Sequence, residues 1–235
     1  IHHKEEKFTM KLKKIASLAL AGVMAVSMLA GCSNASVKPE EPTDPEQPTA
    51  TGYSVEMAEN LSDAAKKDYI DFKDNADDLA ALKDALGNMS WTSTANNTIV
   101  PKTITAVHDW DAVDTSLVVK DFISASGVKE NQLVYNDMWN ALLNNRLEDD
   151  ETVKYGLLYV IDGTVDINKA LKQVAGKVEN LLENLPNVNV SDTARYTFDY
   201  TVSVSVANKA LDVIDWYNGS ANFIAVTVTR VPTAA

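Results

Sequence analysis

His108-Asp109-Trp110-Asp111-Ala112-Val113-Asp114 gathers one imidazole and three carboxylates within a single short stretch. Nitrogen and oxygen donors this close suit a weak divalent-cation site, and an imidazole beside an acid suits proton transfer. The plainer reading is a polar loop after a strand, with Asp114 capping the next helix. The other histidines are His2 and His3, so past the leader a two-histidine zinc motif cannot be assembled. DGTVDIN, residues 162–168, has the look of half a calcium loop. Leu158 and Val160 stand where two further oxygen ligands belong, and Lys169 replaces the closing carboxylate, so a shell of roughly 6–8 oxygens cannot form. We read that segment as a strand-to-helix turn capped by Asp166. Ser126-Gly127-Val128-Lys129 has S-x-x-K spacing, but a lysine-activated serine must open a helix and Gly127 closes one. Acid pairs suited to glycoside cleavage are numerous, and Trp91, Trp110, Trp139, Trp216 and Tyr217 offer rings for stacking on sugars. Tryptophan is more often core than platform.

The only cysteine is Cys32. Its sulfur suits a nucleophile, a metal ligand or half of a disulfide, and its surroundings point elsewhere. Lys11, Lys13 and Lys14 follow Met10, and IASLALAGVMAVSM, residues 15–28, is an uncharged run too short to cross a hydrocarbon core. It fits the apolar region of an export signal. Leu29-Ala30-Gly31-Cys32 follows in register, and here the segment resembles a bacterial lipoprotein signal peptide with its lipobox. The resemblance implies a diacylglyceryl thioether on Cys32, cleavage before it, and palmitate-type chains holding the protein on the extracytoplasmic face of the cell membrane. The alternatives are an ordinary secretory signal with a chance cysteine, or a buried helix with a core one.

IHHKEEKFT, residues 1–9, belongs to no part of an export signal. Lys4-Glu5-Glu6 is compatible with AAGGAGGAR, a ribosome-binding purine run, so we expect translation to start at Met10 and residues 1–9 to be untranslated leader. With residues 1–31 removed, 16 basic and 31 acidic side chains leave a net charge near −15. Such a field disfavours nucleic acid and anionic lipid surfaces, so the lipid bilayer is met through the acyl chains alone. With its one cysteine lipidated, the body has no disulfide and relies on its apolar core. In SNASVKPEEPTDPEQPTATG, residues 33–52, Pro39, Pro42, Pro45 and Pro48 recur every third residue. That is one turn of polyproline II, giving a stiff acidic tether of roughly 60 Å at full extension.

The body, residues 53–235, must place any such chemistry on its own elements. Apolar spacing predicts a helix over 167–185 with Asp166 as N-cap and Pro186 as stop. Alternation predicts a strand over 195–206 with one wet face, and others over 223–231, 153–161 and 98–107. Helices are expected over 55–86 with a break near Asp74-Asn75, over 115–125 and over 137–147. Residues 207–217 are assigned to a helix in preference to a hairpin turning at Asn218-Gly219. The sum is one α+β domain, a two-layer sandwich of a roughly four-stranded mixed or antiparallel sheet with helices on one face. No motif calls for a cofactor or a metal, and no catalytic residue emerges. We expect a membrane-anchored, non-enzymatic binding or structural module; the alternatives are a carboxylate-based hydrolase of envelope glycans and a solute-capture lipoprotein.

Overall fold

Tyr196, Phe198, Tyr200, Val202, Val204 and Val206 alternate with polar residues, and the strand they form is the spine of the body. The computed structural model describes residues 52–89, 100–108, 113–128, 142–143, 150–190, 195–210 and 219–235. In chain order the elements are α1 (Tyr53–Ala58), a 3-10 turn (Asp63–Ala65), β1 (Ile70–Phe72), α2 (Ala76–Asn88), β2 (Thr105–Val107) and α3 (Val113–Ser126). Then come β3 (Val153–Asp162), α4 (Ile167–Asn184), β4 (Val188–Val190), β5 (Arg195–Ala210) and β6 (Ser220–Ala234).

The strands run β1-β5-β6-β3-β2, and β4 also pairs with β5. β5 and β6 are antiparallel from Tyr196↔Ala234 to Ala210↔Ser220, and β3 lies antiparallel along the other side of β6 from Val153↔Arg230 to Asp162↔Ala221. The outer edge of β5 is shared. β1 runs parallel to it at Ile70↔Tyr200, and β4 runs antiparallel at Val188↔Thr197. Three-residue strands at β1, β2 and β4 blunt the edges, which limits pairing with other chains.

The sheet is therefore mixed and the class is α+β, as expected, but with six strands among the described residues rather than four. Helices also pack on both faces, not one. On the first face α1 and α4 bury Met57, Leu171, Val174, Val178, Leu181 and Leu182 against Tyr155, Leu157, Phe198, Tyr200, Val202, Ile224 and Val226. On the second, α2 and α3 bury Leu82, Leu86, Val118, Val119 and Phe122 against Leu158, Val160, Phe223 and Ala225. The physical reason lies in small hydroxyls. Ser203 and Ser205 occupy the face of β5 that alternation marks as wet, yet both are buried. Their size lets α2 approach, and the Asn75 N–H donates to Ser203 Oγ at 3.1 Å.

α4 follows its expected bounds. Asp166 caps it, its Oδ1 accepting from the Lys169 N–H at 3.2 Å, and Leu185 leads out to Pro186. Full burial of each of its leucines and valines contributes about 1.5–3 kcal/mol. α3 ends at Gly127, whose φ of 72° is a left-handed value that suits glycine at a helix C-terminus. Three expectations fail. The helix expected over 55–86 is two helices, a 3-10 turn and β1, because Ile70-Asp71-Phe72 gains more by pairing with β5 than by continuing a helix. Residues 207–210 extend β5 where a helix was expected to open, and residues 211–218 lie outside the described residues. Of the strand expected over 98–107, the described part is extended sheet only at β2. The helix expected over 137–147 lies mostly outside the described residues.

Candidate functional site

A buried polar cluster lies beneath α2 and α3, and of the sequence candidates only Ser126 reaches it, by its backbone carbonyl. Asn75 opens α2, its Oδ1 accepting from the Asp77 N–H at 2.9 Å, and this sets Asp78 in the first turn facing the sheet. A carboxylate there is favoured by the helix dipole. Asp78 is only 1% exposed. The Thr227 hydroxyl on β6 donates to Asp78 Oδ2 at 2.7 Å, and Lys154 Nζ on β3 contacts Asp78 Oδ1. Lys154 Nζ also donates to the carbonyl of Ser126 at 2.8 Å. That carbonyl is the last of α3, an acceptor the helix itself cannot use. Lys154, near the start of β3, thus links the start of one helix to the end of another over one face of the sheet.

On the opposite face the fully buried Arg230 guanidinium stands 4.5 Å from the ring centre of Phe198. A desolvated cation over an aromatic face is attractive by about 2 kcal/mol. Burial pushes the Tyr155 phenol above its ordinary value, with Arg230 pulling the other way, and does the same to Tyr200 more strongly. The Tyr155 hydroxyl is buried with no hydrogen-bond partner among the described residues. Tyr200 donates to the Pro186 carbonyl at 2.8 Å, Tyr69 to the Leu185 carbonyl at 2.8 Å, and Lys67 to the Glu183 carbonyl at 2.6 Å. These three side chains satisfy carbonyls at and just beyond the C-terminus of α4.

The chain matches no family model, no curated protein and no solved structure. Its residues alone must carry any reading of function.

Of the sequence candidates, Cys32 lies outside the described residues, as do Asp109, Trp110, Asp111, Trp91, Trp139, Trp216 and Tyr217. His108 is half-buried just beyond β2, and Asp114 lies in α3. No group of three or more His, Cys, Asp or Glu poised to hold a metal occurs among the described residues. Ser126 closes α3, and its Oγ accepts from the Val128 N–H at 3.4 Å, a geometry that ends a helix. DGTVDIN is a turn between β3 and α4. Asp162 Oδ1 accepts from the Thr164 N–H at 2.8 Å and from its hydroxyl, and these bonds hold the Asp162 carboxyl below its usual range despite burial.

Asp74 caps α1 in the same manner. Its carboxylate accepts from the Gly52 N–H and, at 3.0 Å, from the Ser54 N–H. Glu56, one turn on, has its carboxyl pushed up by burial and by the neighbouring charges of Glu59 and Asp74. Sequence reasoning missed Lys154, Asp78 and Thr227. Their one visible signal is a lysine inside VKYGLLYVID, an apolar strand with no room for a wet face.

Proposed function

We propose that the chain is a lipoprotein, anchored by acylated Cys32 on the extracytoplasmic face of the cell membrane, whose body is a non-enzymatic binding or structural module. One observation carries the reading. A lysine-led start, an uncharged run and Leu29-Ala30-Gly31-Cys32 stand in the required order, and a proline-periodic acidic spacer follows before the first helix begins at Tyr53. Two acyl chains give stable attachment where one is marginal. No helix among the described residues is long and apolar enough to cross a membrane.

The structural reading of the body is supported by how its inner carboxylates are used. Asp78 is engaged by Lys154 and Thr227, Asp74 caps α1, and Asp162 binds Thr164. Each holds an element in place. Growth on an alkyne-tagged palmitate tests the proposal. The protein should take up the label and partition into the detergent phase, and Cys32→Ser should do neither. A wild-type protein without label in the cytosolic fraction would overturn it.

A further inference from the structure

We propose that Lys154 and Asp78 are joined by an isopeptide bond formed by the protein itself. Three contacts carry the inference. Lys154 Nζ lies against Asp78 Oδ1, the Ser126 carbonyl accepts from Nζ at 2.8 Å, and the Thr227 hydroxyl donates to Asp78 Oδ2 at 2.7 Å. These are the hydrogen bonds that the product amide needs. Its N–H keeps the Ser126 carbonyl, its C=O keeps the Thr227 hydroxyl, and only Oδ1, the oxygen facing the amine, has to leave.

The atoms balance within the pair. One ammonium proton passes from Nζ to Oδ1, giving a neutral amine and a carboxylic acid. The nitrogen lone pair then adds to Cγ, and the charge that develops on Oδ2 is met by the Thr227 O–H, as a positioned donor meets an oxyanion. A second proton moves from nitrogen to Oδ1, the Cγ–Oδ1 bond breaks, and one water departs. The third proton stays on nitrogen, directed at Ser126. Neither oxidant nor cofactor is consumed.

Placement supplies the driving force. Asp78 is 1% exposed and the Lys154 side chain 16%, so the charged pair carries a desolvation cost that a neutral amide removes. Holding amine and acid in contact replaces a bimolecular encounter by an intramolecular one. Water is the reagent that reverses the step, and the Asp78 carboxyl it would have to reach is 1% exposed. The bond would tie the first turn of α2 to the interior strand β3 in a body with no cysteine beyond Cys32, independently of how the protein is anchored.

Peptide mapping of the purified full-length protein by mass spectrometry, after denaturation and trypsin, tests it. We expect a branched species in which residues 74–83 are joined to residues 147–169, with no cut after Lys154 and a mass lighter than the sum of the two peptides by one water. Lys154→Arg should give the 74–83 peptide alone, and Thr227→Val should leave a larger unlinked fraction at equal time after synthesis. Peptide 74–83 recovered quantitatively on its own from wild type, with cleavage after Lys154, would overturn the proposal and leave an ion pair. So would a loss of water that persists in Lys154→Arg.

Discussion

Ser54 sits on α1 with no exposed surface, and its Oγ accepts the Val204 N–H of β5 at 2.9 Å. That amide points to the outer edge of β5, past the last β1 partner at Val202, where no strand among the described residues reaches it. Ser54→Ala removes the acceptor and leaves a buried donor unmet, a change that costs about 1–3 kcal/mol. Against it stands the better helix propensity of alanine, at most about 0.5 kcal/mol at one position. The Ser54 N–H bond to Asp74 is made by backbone and survives. The net expectation is a loss of about 0.5–2.5 kcal/mol. For a body of this size each kcal/mol lowers Tm by about 2–4 °C. Urea denaturation with an unchanged slope, read beside amide exchange, is the assay. The Val204 amide should exchange faster than in wild type by about tenfold for each 1.4 kcal/mol lost, while amides of the β3–β6 pair track only global stability. A Ser54→Ala midpoint equal to wild type, with Val204 protection unchanged, would refute the view that this hydroxyl closes the edge of β5.

Other outcomes follow from the same geometry. Gly163→Ala should destabilise strongly, because a Cβ there would stand 2.0 Å from Ser220 Oγ and 2.9 Å from the Ser220 backbone, while Gly163 N–H already binds the Ser220 carbonyl at 2.8 Å; thermal melts read it. Val174→Ala, in the fully buried seam of α4, should cost about 2–4 kcal/mol by chemical denaturation. Asp162 has a lowered folded pKa, so its contribution is complete above its ordinary carboxylate range and is lost as pH falls through the folded value. The stability gap between wild type and Asp162→Ala should therefore be present at neutral pH and shrink in acid. Glu56 carries the opposite shift, and Glu56→Gln should be neutral or slightly stabilising at pH 7, an advantage that disappears on acidification.

α4, β3, β5 and β6 were legible because each repeats one signal many times: a strong 3-and-4 spacing in the helix and period two in β5. What alternation could not give was the partner of the polar face. Serine at 203 and 205 reads as wet, yet it is buried once Asn75 supplies a donor and α2 closes over it. The opposite clue was present in VKYGLLYVID, where both parities are apolar, the mark of a strand covered on both faces. β1 was hidden because three residues carry no period and its partner lies far downstream in sequence. The Lys154–Asp78–Thr227 cluster was illegible for the same reason: its members come from three elements, and only the sheet register brings them together.

The pairing of β1 with β5, and of Ser54 with Val204, also fixes a sequence of events. The first elements of the body to leave the ribosome are held in part by some of the last: β1 has no strand to pair with, and the Ser54 hydroxyl no amide to accept from, until β5 has been made. The start of the body must wait for its last fastening until its own far end has been made. Once fastened, a pull on the chain at Gly52 and α1 meets that late-set seam first.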